Sequence, residues 1–334
     1  MRKIAIFTSK SMKKLLNNQR MDLYFDMVSQ GYAELFYLED NFLSKKTFIQ
    51  KYFSILIEEP AFLSQLNVKA FYKEISMYEL PIFTIISDYF LVPFLLKKFI
   101  KYYRINHIFV NHETAPLLLR KILPKYIFYD FYPFAIANKL PKIENIKKEN
   151  DILYTGSNHP LQGFRQRLFN LLSKNFVVKK LFHPGNRPDK KDKSIISGYS
   201  YLEELSKSYF VINCTTNNQI STRKCYEIPA CASSIIGNLQ KDNTLTKIYE
   251  NTVLVNPNMS DMKILDLVSE ALKNKELYFK KAKENADFYR QNFSSKKISN
   301  LIISRILFLV ESGLYYNHFI PTSKSQLFRE IFYK

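Results

Sequence analysis

The sequence predicts an α/β protein of two Rossmann-like domains that face each other across a cleft. Three observations predict it. Short apolar runs alternate with helix-patterned stretches over roughly the first 130 residues, which is the pattern of a parallel, doubly wound sheet. The polar, Lys-rich stretch LPKIENIKKEN at residues 140–150 then interrupts the series. A second β-α series begins at Asp151. At 334 residues, each half is long enough to bury its own core.

Residues 3–8 (KIAIFT) read as a buried parallel strand. Residues 15–30 read as a helix that Gly31 stops, and residues 33–38 (AELFYL) as a second strand. Residues 44–57 and 60–78 carry a mainly helical pattern. Strands follow at 81–87 (PIFTIIS), 107–111 (HIFVN) and 125–129 (KYIFY), with helices at 91–103 and 114–122 between them. In the second half, strands at 151–155, 177–182, 210–214, 233–237 and 252–255 alternate with helices at 163–174, 201–208, 223–230 and 243–250. Two further helices span 262–274 and 275–292. The last forty residues read as helical and basic, and are expected to pack back on the first domain. The expected division is a first domain at 1–140, a linker at 141–150, a second domain at 151–298 and a helical segment at 299–334. Ligands of such folds lie at the C-terminal ends of the strands.

An apolar fraction of 46% with 24% charged residues is that of a globular chain. Lys and Arg number 49 against 30 Asp and Glu, a formal charge of +19. That excess points to an anionic partner, such as nucleic acid, an acidic membrane surface or a charged substrate. Drift toward Lys in an AT-rich genome produces the same composition. Cys214, Cys225 and Cys231 form no C-x-x-C pair, so neither a disulfide framework nor a zinc site is expected. The start MRKIAIFTSK reads as a first strand and not as a targeting signal. No apolar run reaches the ~18 residues of a membrane-spanning helix. A cytoplasmic protein, peripheral on the inner membrane face at most, is the expectation.

Two stretches carry chemistry. The first is DILYTGSN, where a strand runs into Gly156-Ser157 and then into a helix containing Arg165 and Arg167. A glycine there lets backbone approach a ligand, and the N–H groups of a following helix favour phosphate. A plain β-turn-α connection explains the same residues. The second stretch is STRKCYEIPACA, residues 221–232. Arg223 and Glu227 are four apart and share one helix face. A simple ion pair accounts for them. So does a binding role, with Arg223 and backbone N–H groups on a diphosphate. Glu227, as an acceptor-only carboxylate, would then take a ribose diol.

In order and spacing, Gly156-Ser157, Arg165, the strand FVIN ending at Asn213, the Arg223-to-Glu227 helix and the helix at 278–293 form a recognisable series. The stretch 151–298 resembles the CgeB-type "glycosyl transferases group 1" domain of GT-B enzymes. The resemblance implies a nucleotide-sugar donor as substrate; no metal-ligand cluster is visible in the sequence, so neither a metal nor a cofactor is expected. It implies a ribose contact for Glu227 and a place near the donor phosphates for Arg223. The chain departs from the family at Ala230-Cys231-Ala232, where a small-residue turn ending in Gly is usual. His183-Pro184 ends the second strand of this half. A His-Pro pair recurs in GT-B enzymes that use CMP-activated sugars of the Kdo or sialic acid type, where the His faces the donor phosphate. A loop His beside a turn-forming Pro-Gly is the other reading.

In the first half, Asp88 and His112 each follow a predicted strand. An inverting transferase needs a base near the acceptor hydroxyl, and either residue has suitable chemistry. The resemblance implies transfer of a sugar to a hydroxyl, with a bacterial surface glycan or glycolipid as the expected acceptor. Lys97, Lys98, Lys101 and Arg104 on an apolar-aromatic stretch suit an anionic membrane surface. A non-catalytic protein that binds a membrane surface or nucleic acid is the rival reading. No helix-turn-helix, zinc or RNP-like motif supports nucleic acid as a partner.

Overall fold

The computed structural model describes residues 2–8, 19–37, 45–57, 80–86, 96, 100, 104–105, 107–111, 119–121, 123, 127–156, 163–181, 196, 198–215, 221–239 and 246–314. Two parallel sheets organise them. The first contains β1 (Lys3–Thr8), β2 (Ala33–Tyr37), β3 (Tyr52–Ile57), β4 (Ile82–Ile86), β5 (His107–Val110) and β6 (Phe128–Phe131), in the order β2-β1-β3-β4-β5-β6. Helices α1 (Gln19–Ser29) and α2 (Lys45–Lys51) lie between its first three strands.

The second sheet contains β7 (Asn150–Thr155), β8 (Val178–Leu181), β9 (Ser208–Ile212), β10 (Ser234–Gly237) and β11 (Thr252–Leu254), in the order β11-β10-β9-β7-β8. Its helices are α3 (Gly163–Asn175), α4 (Gly198–Ser206), α5 (Lys224–Ala230) and α6 (Thr246–Tyr249). Three longer helices close the described chain: α7 (Asp261–Lys273), α8 (Lys275–Asn292) and α9 (Ser295–Glu311).

One element corrects the sequence reading. Residues 44–57 carry a helical pattern, yet the helix stops at Lys51 and the chain continues directly as β3. Strand β3 pairs with β1 on one side and β4 on the other. Five of its six residues are buried. YFSILI has no charged face to present to water, so it fits a strand covered on both sides. A helix there would leave the facing edges of β1 and β4 with unpaired buried backbone groups.

Helix α9 returns to the first sheet. It packs on α1, where Gln30 Nε2 donates to Ser299 Oγ at 3.1 Å. The Ser295 hydroxyl sits between the Asp26 carboxylate and the Asn138 amide. Arg305 Nε donates to Asp130 Oδ2 at 2.6 Å, and His107 Nε2 meets the same oxygen at 2.6 Å. The apolar face of α9, with Ile298, Ile302, Ile303, Ile306 and Leu309, enters a core that also holds Leu56 and Phe83 of the first sheet and Val211 and Ile235 of the second. The two halves of the chain therefore share one continuous apolar seam. No helix among the described residues is long and apolar enough to cross a membrane.

Candidate functional site

In the second sheet the winding reverses between β7 and β9, because the chain passes from β7 out to β8 and returns to the other side. A crevice opens at the C-terminal ends of two strands that diverge in this way. Strand β7 ends at Thr155, which is buried, and Gly156 follows with φ +130. A Cβ on Gly156 would lie 2.7 Å from the Arg165 Cζ. The missing side chain thus makes room for the Arg165 guanidinium, which reaches back from the first turn of α3. Arg165 is 2% exposed. Burial lowers its pKa from the ordinary value, against the opposing influence of Tyr154 and Cys214.

Strand β9 ends at Ile212 and hands on to Asn213, which is fully buried. The Asn213 Nδ2 donates to Cys225 Sγ at 3.2 Å, and its Oδ1 accepts from Thr222 Oγ1 at 3.1 Å. Asn213 thereby fixes the approach to α5. At the end of β10, a Cβ on Gly237 would lie 1.7 Å from the Asn213 carbonyl oxygen, so this close approach requires glycine.

Helix α5 and the residue before it bring three ionisable side chains together. Arg223 Nε pairs with Glu227 Oε1 at 3.1 Å, and Glu227 is 2% exposed. Lys224 Nζ donates to the Thr155 carbonyl at 2.7 Å. Burial drives the Lys224 pKa well below its ordinary value; Arg165 and Arg223 push the same way and Glu227 opposes them. Tyr201, from α4, lies beside Glu227, and burial followed by that carboxylate raises its pKa well above 10. Thr155 is near enough to ease the Tyr201 hydroxyl slightly, but no hydrogen bond of ordinary geometry forms. The Ser221 hydroxyl is likewise buried without a partner.

Among the described residues here, Arg165, Arg223 and Lys224 are faced by one carboxylate, Glu227. Of the residues singled out by sequence, Gly156, Arg165, Asn213, Arg223 and Glu227 lie around the ends of β7 and β9. Asp88, His112, Ser157 and His183 lie outside the described residues, as do Lys97, Lys98 and Lys101 of the basic stretch. Lys224 and Tyr201 were not singled out by sequence. A second cation beside Arg223, just before a helix, was the available signal for Lys224. At Ala230-Cys231-Ala232 the chain turns after α5, and Ala232 adopts φ +53, the left-handed region that glycine occupies at ease. No group of His, Cys, Asp and Glu that could hold a metal ion occurs among the described residues.

The fold is the two-sheet GT-B architecture. An α-glucosyltransferase solved with UDP-glucose and DNA containing an abasic site superposes with a TM-score of 0.61 at 15% identity, over 91% of this chain and 99% of that one. Anabaena HepE in complex with UDP and glucose gives 0.57 at 10% identity, over 92% and 99%. WaaG, a glycosyltransferase of lipopolysaccharide biosynthesis, gives 0.52 at 11% identity, over 91% and 99%. No family model matches the chain, and no curated protein matches it.

Proposed function

We propose that this chain is a glycosyltransferase that takes a UDP-activated sugar and passes the sugar to a hydroxyl. The observation that carries the reading is the gathering of Arg165, Arg223 and Lys224, with Glu227 beside them, at the β7/β9 switch point. A nucleoside diphosphate supplies the matching negative charge. Arg165, Arg223 and Lys224 would stabilise the diphosphate as it leaves, when its charge grows. Glu227, buried beside them, would accept hydrogen bonds from the ribose diol. Gly156 and Ser157 would flank the phosphates. UDP is preferred over other nucleotides because two fold neighbours were solved with UDP or its glucose conjugate. A CMP-sugar donor read by His183 is the competing outcome of the same screen.

The two sheets are taken as separate domains joined at 141–150, with the acceptor bound on the first. Asp88 or His112 would then serve as base. The acceptor is proposed to be a surface glycan or glycolipid at an anionic membrane. Two features support it: the +19 charge, and the exposed Leu301 and Phe308 on α9. Transfer to DNA is the alternative that an acceptor panel would reveal.

Titration calorimetry with UDP, GDP, dTDP and CMP tests the donor. UDP should bind, and Glu227→Gln should weaken it. A hydrogen bond to a charged group contributes ~1.5–3 kcal/mol, so the loss should be about tenfold or more at ~1.4 kcal/mol per decade. An ion pair alone predicts a small stability loss and unaltered binding. Wild-type affinity in the Gln variant would remove Glu227 from the donor site.

A further inference from the structure

The connection between the sheets does more than link them. Lys148, just ahead of β7, sends its ammonium under the second sheet. Its Nζ lies 2.9 Å from the Ser206 carbonyl, 2.7 Å from that of Ser208, 2.6 Å from that of Ala232 and 3.0 Å from Ser233 Oγ. The Phe279 ring covers it at 4.6 Å. Ser206 is the last residue of α4, and Ala232 stands two residues past α5. One cation therefore ties the trailing ends of both helices whose leading ends face the crevice.

The Ala232 contact matters most. A left-handed alanine is strained, and such a residue persists where its surroundings hold it. Lys148 holds its carbonyl, and the neighbouring Ala230 carbonyl accepts from Arg290 Nε at 2.8 Å. Helix α5 has only seven residues, about 10 Å of rise. A shift at its trailing end therefore reaches Glu227 within one turn.

We propose that Lys148 is a positioning residue for the donor site: it holds the strained Ala232 turn and so sets the helix that carries Arg223, Lys224 and Glu227. This rests on the donor reading above. Burial pushes the ammonium down to about 7; Cys231 and Glu276 draw it back and Lys283 adds to the fall. The four oxygens favour the charged form, since the neutral amine has one N–H fewer to offer.

The test compares wild type, Lys148→Met, Ala232→Gly and the double variant at pH 6, where the ammonium is charged. UDP affinity is read by calorimetry, and backbone hydrogen exchange is followed at residues 231–234. Lys148→Met should weaken UDP binding by about tenfold or more. Adding Ala232→Gly should restore most of that, because glycine keeps the left-handed turn unaided. Lys275→Met, which breaks the 2.7 Å pair with Asp151 on the same sheet, should lower stability and leave UDP affinity alone. Unchanged affinity in Lys148→Met, or a double variant no better than the single, overturns the proposal. Should Lys148→Met not fold, Ser233→Ala removes one of the four oxygens; a loss of about threefold supports the proposal, and none overturns it. UDP that fails to bind wild type defeats the donor reading instead. Exchange then decides: faster opening at residues 231–234 in Lys148→Met, slowed again by Ala232→Gly, supports the anchor, and equal rates overturn it.

Discussion

The two sheets share a winding, 2-1-3-4-5 in each, with one strand more on the first. They differ in the groups at the centre of their described ionic clusters. In the first sheet the ionic clusters centre on carboxylates. Glu34 accepts from Lys3 at 3.0 Å, Lys51 at 2.8 Å and Tyr52 at 2.6 Å. Burial would raise its pKa, but the hydrogen bonds from Lys51, Tyr52 and Lys3 outweigh it and hold the carboxyl at about 2. Asp130 is placed similarly between His107 and Arg305. Lys3, Tyr52 and His107 open their strands, so these clusters sit at the end of the sheet where ligands do not bind. In the second sheet the cluster centres on cations, at the opposite strand ends. The same topology thus carries carboxylate-centred clusters at one end of the first sheet and gathers basic side chains at the opposite end of the second.

The largest expected effect sharpens this contrast. Lys224→Met keeps an apolar stem but removes the Nζ that donates to the Thr155 carbonyl at the crevice. UDP affinity should fall about a hundredfold, ~2.8 kcal/mol at ~1.4 kcal/mol per decade, within the range of a hydrogen bond to a charged group. Glu34→Gln on the first sheet should lower stability and leave UDP binding as it was. If both variants lose UDP alike, the division between fastening and binding clusters is wrong.

Gly156→Ala should come next. The new Cβ would meet the Arg165 guanidinium at 2.7 Å, on a backbone with φ +130. Strain of this kind costs about 2 kcal/mol, so the midpoint of thermal unfolding should drop by about 4–8 °C. UDP affinity should fall with it, because Arg165 must move. Scanning calorimetry showing an unshifted midpoint would mean that the guanidinium yields without cost and is not fixed by the turn.

Much of this was legible in the sequence because parallel strands are buried on both faces. KIAIFT, HIFV and SYFVI stand out as uninterrupted apolar runs with no polar alternation. The residues of β3 were harder to read, since helix α2 passes into them without a Gly or Pro to mark the change. Arg223 and Glu227 were visible through their spacing of four. Lys224 was not, because one residue turns the helix by about 100° and its partner is a backbone carbonyl 69 positions away. The Ala232 turn was hidden for a different reason: alanine carries no signal for a left-handed backbone, and what holds it is Lys148, a residue of the connection that composition alone presents as a solvated linker.

The smallest effect probes the first sheet by pH. Burial by itself would raise the Asp130 pKa; hydrogen bonds from His107 and Arg305 outweigh it and hold the carboxyl below its usual range. The unfolded chain titrates near ~3.9. A carboxyl depressed in the folded state binds fewer protons there than in the unfolded chain. Its stabilisation is therefore complete above the unfolded value and fades as pH falls through the folded one. The Asp130 side chain is 28% exposed, and water screens part of the interaction, so about 1 kcal/mol is expected at neutral pH. Asp130→Asn should be less stable than wild type by that amount at pH 7, as measured by urea unfolding. The gap should narrow as pH drops below about 4. UDP affinity should not change, since Asp130 fastens α9 to the first sheet and has no place in the crevice. A gap that persists undiminished at low pH would mean that the site is held by packing of α9 and not by the charge of Asp130. A loss of UDP affinity would mean that α9 carries the state of the first sheet to the second through their shared apolar seam.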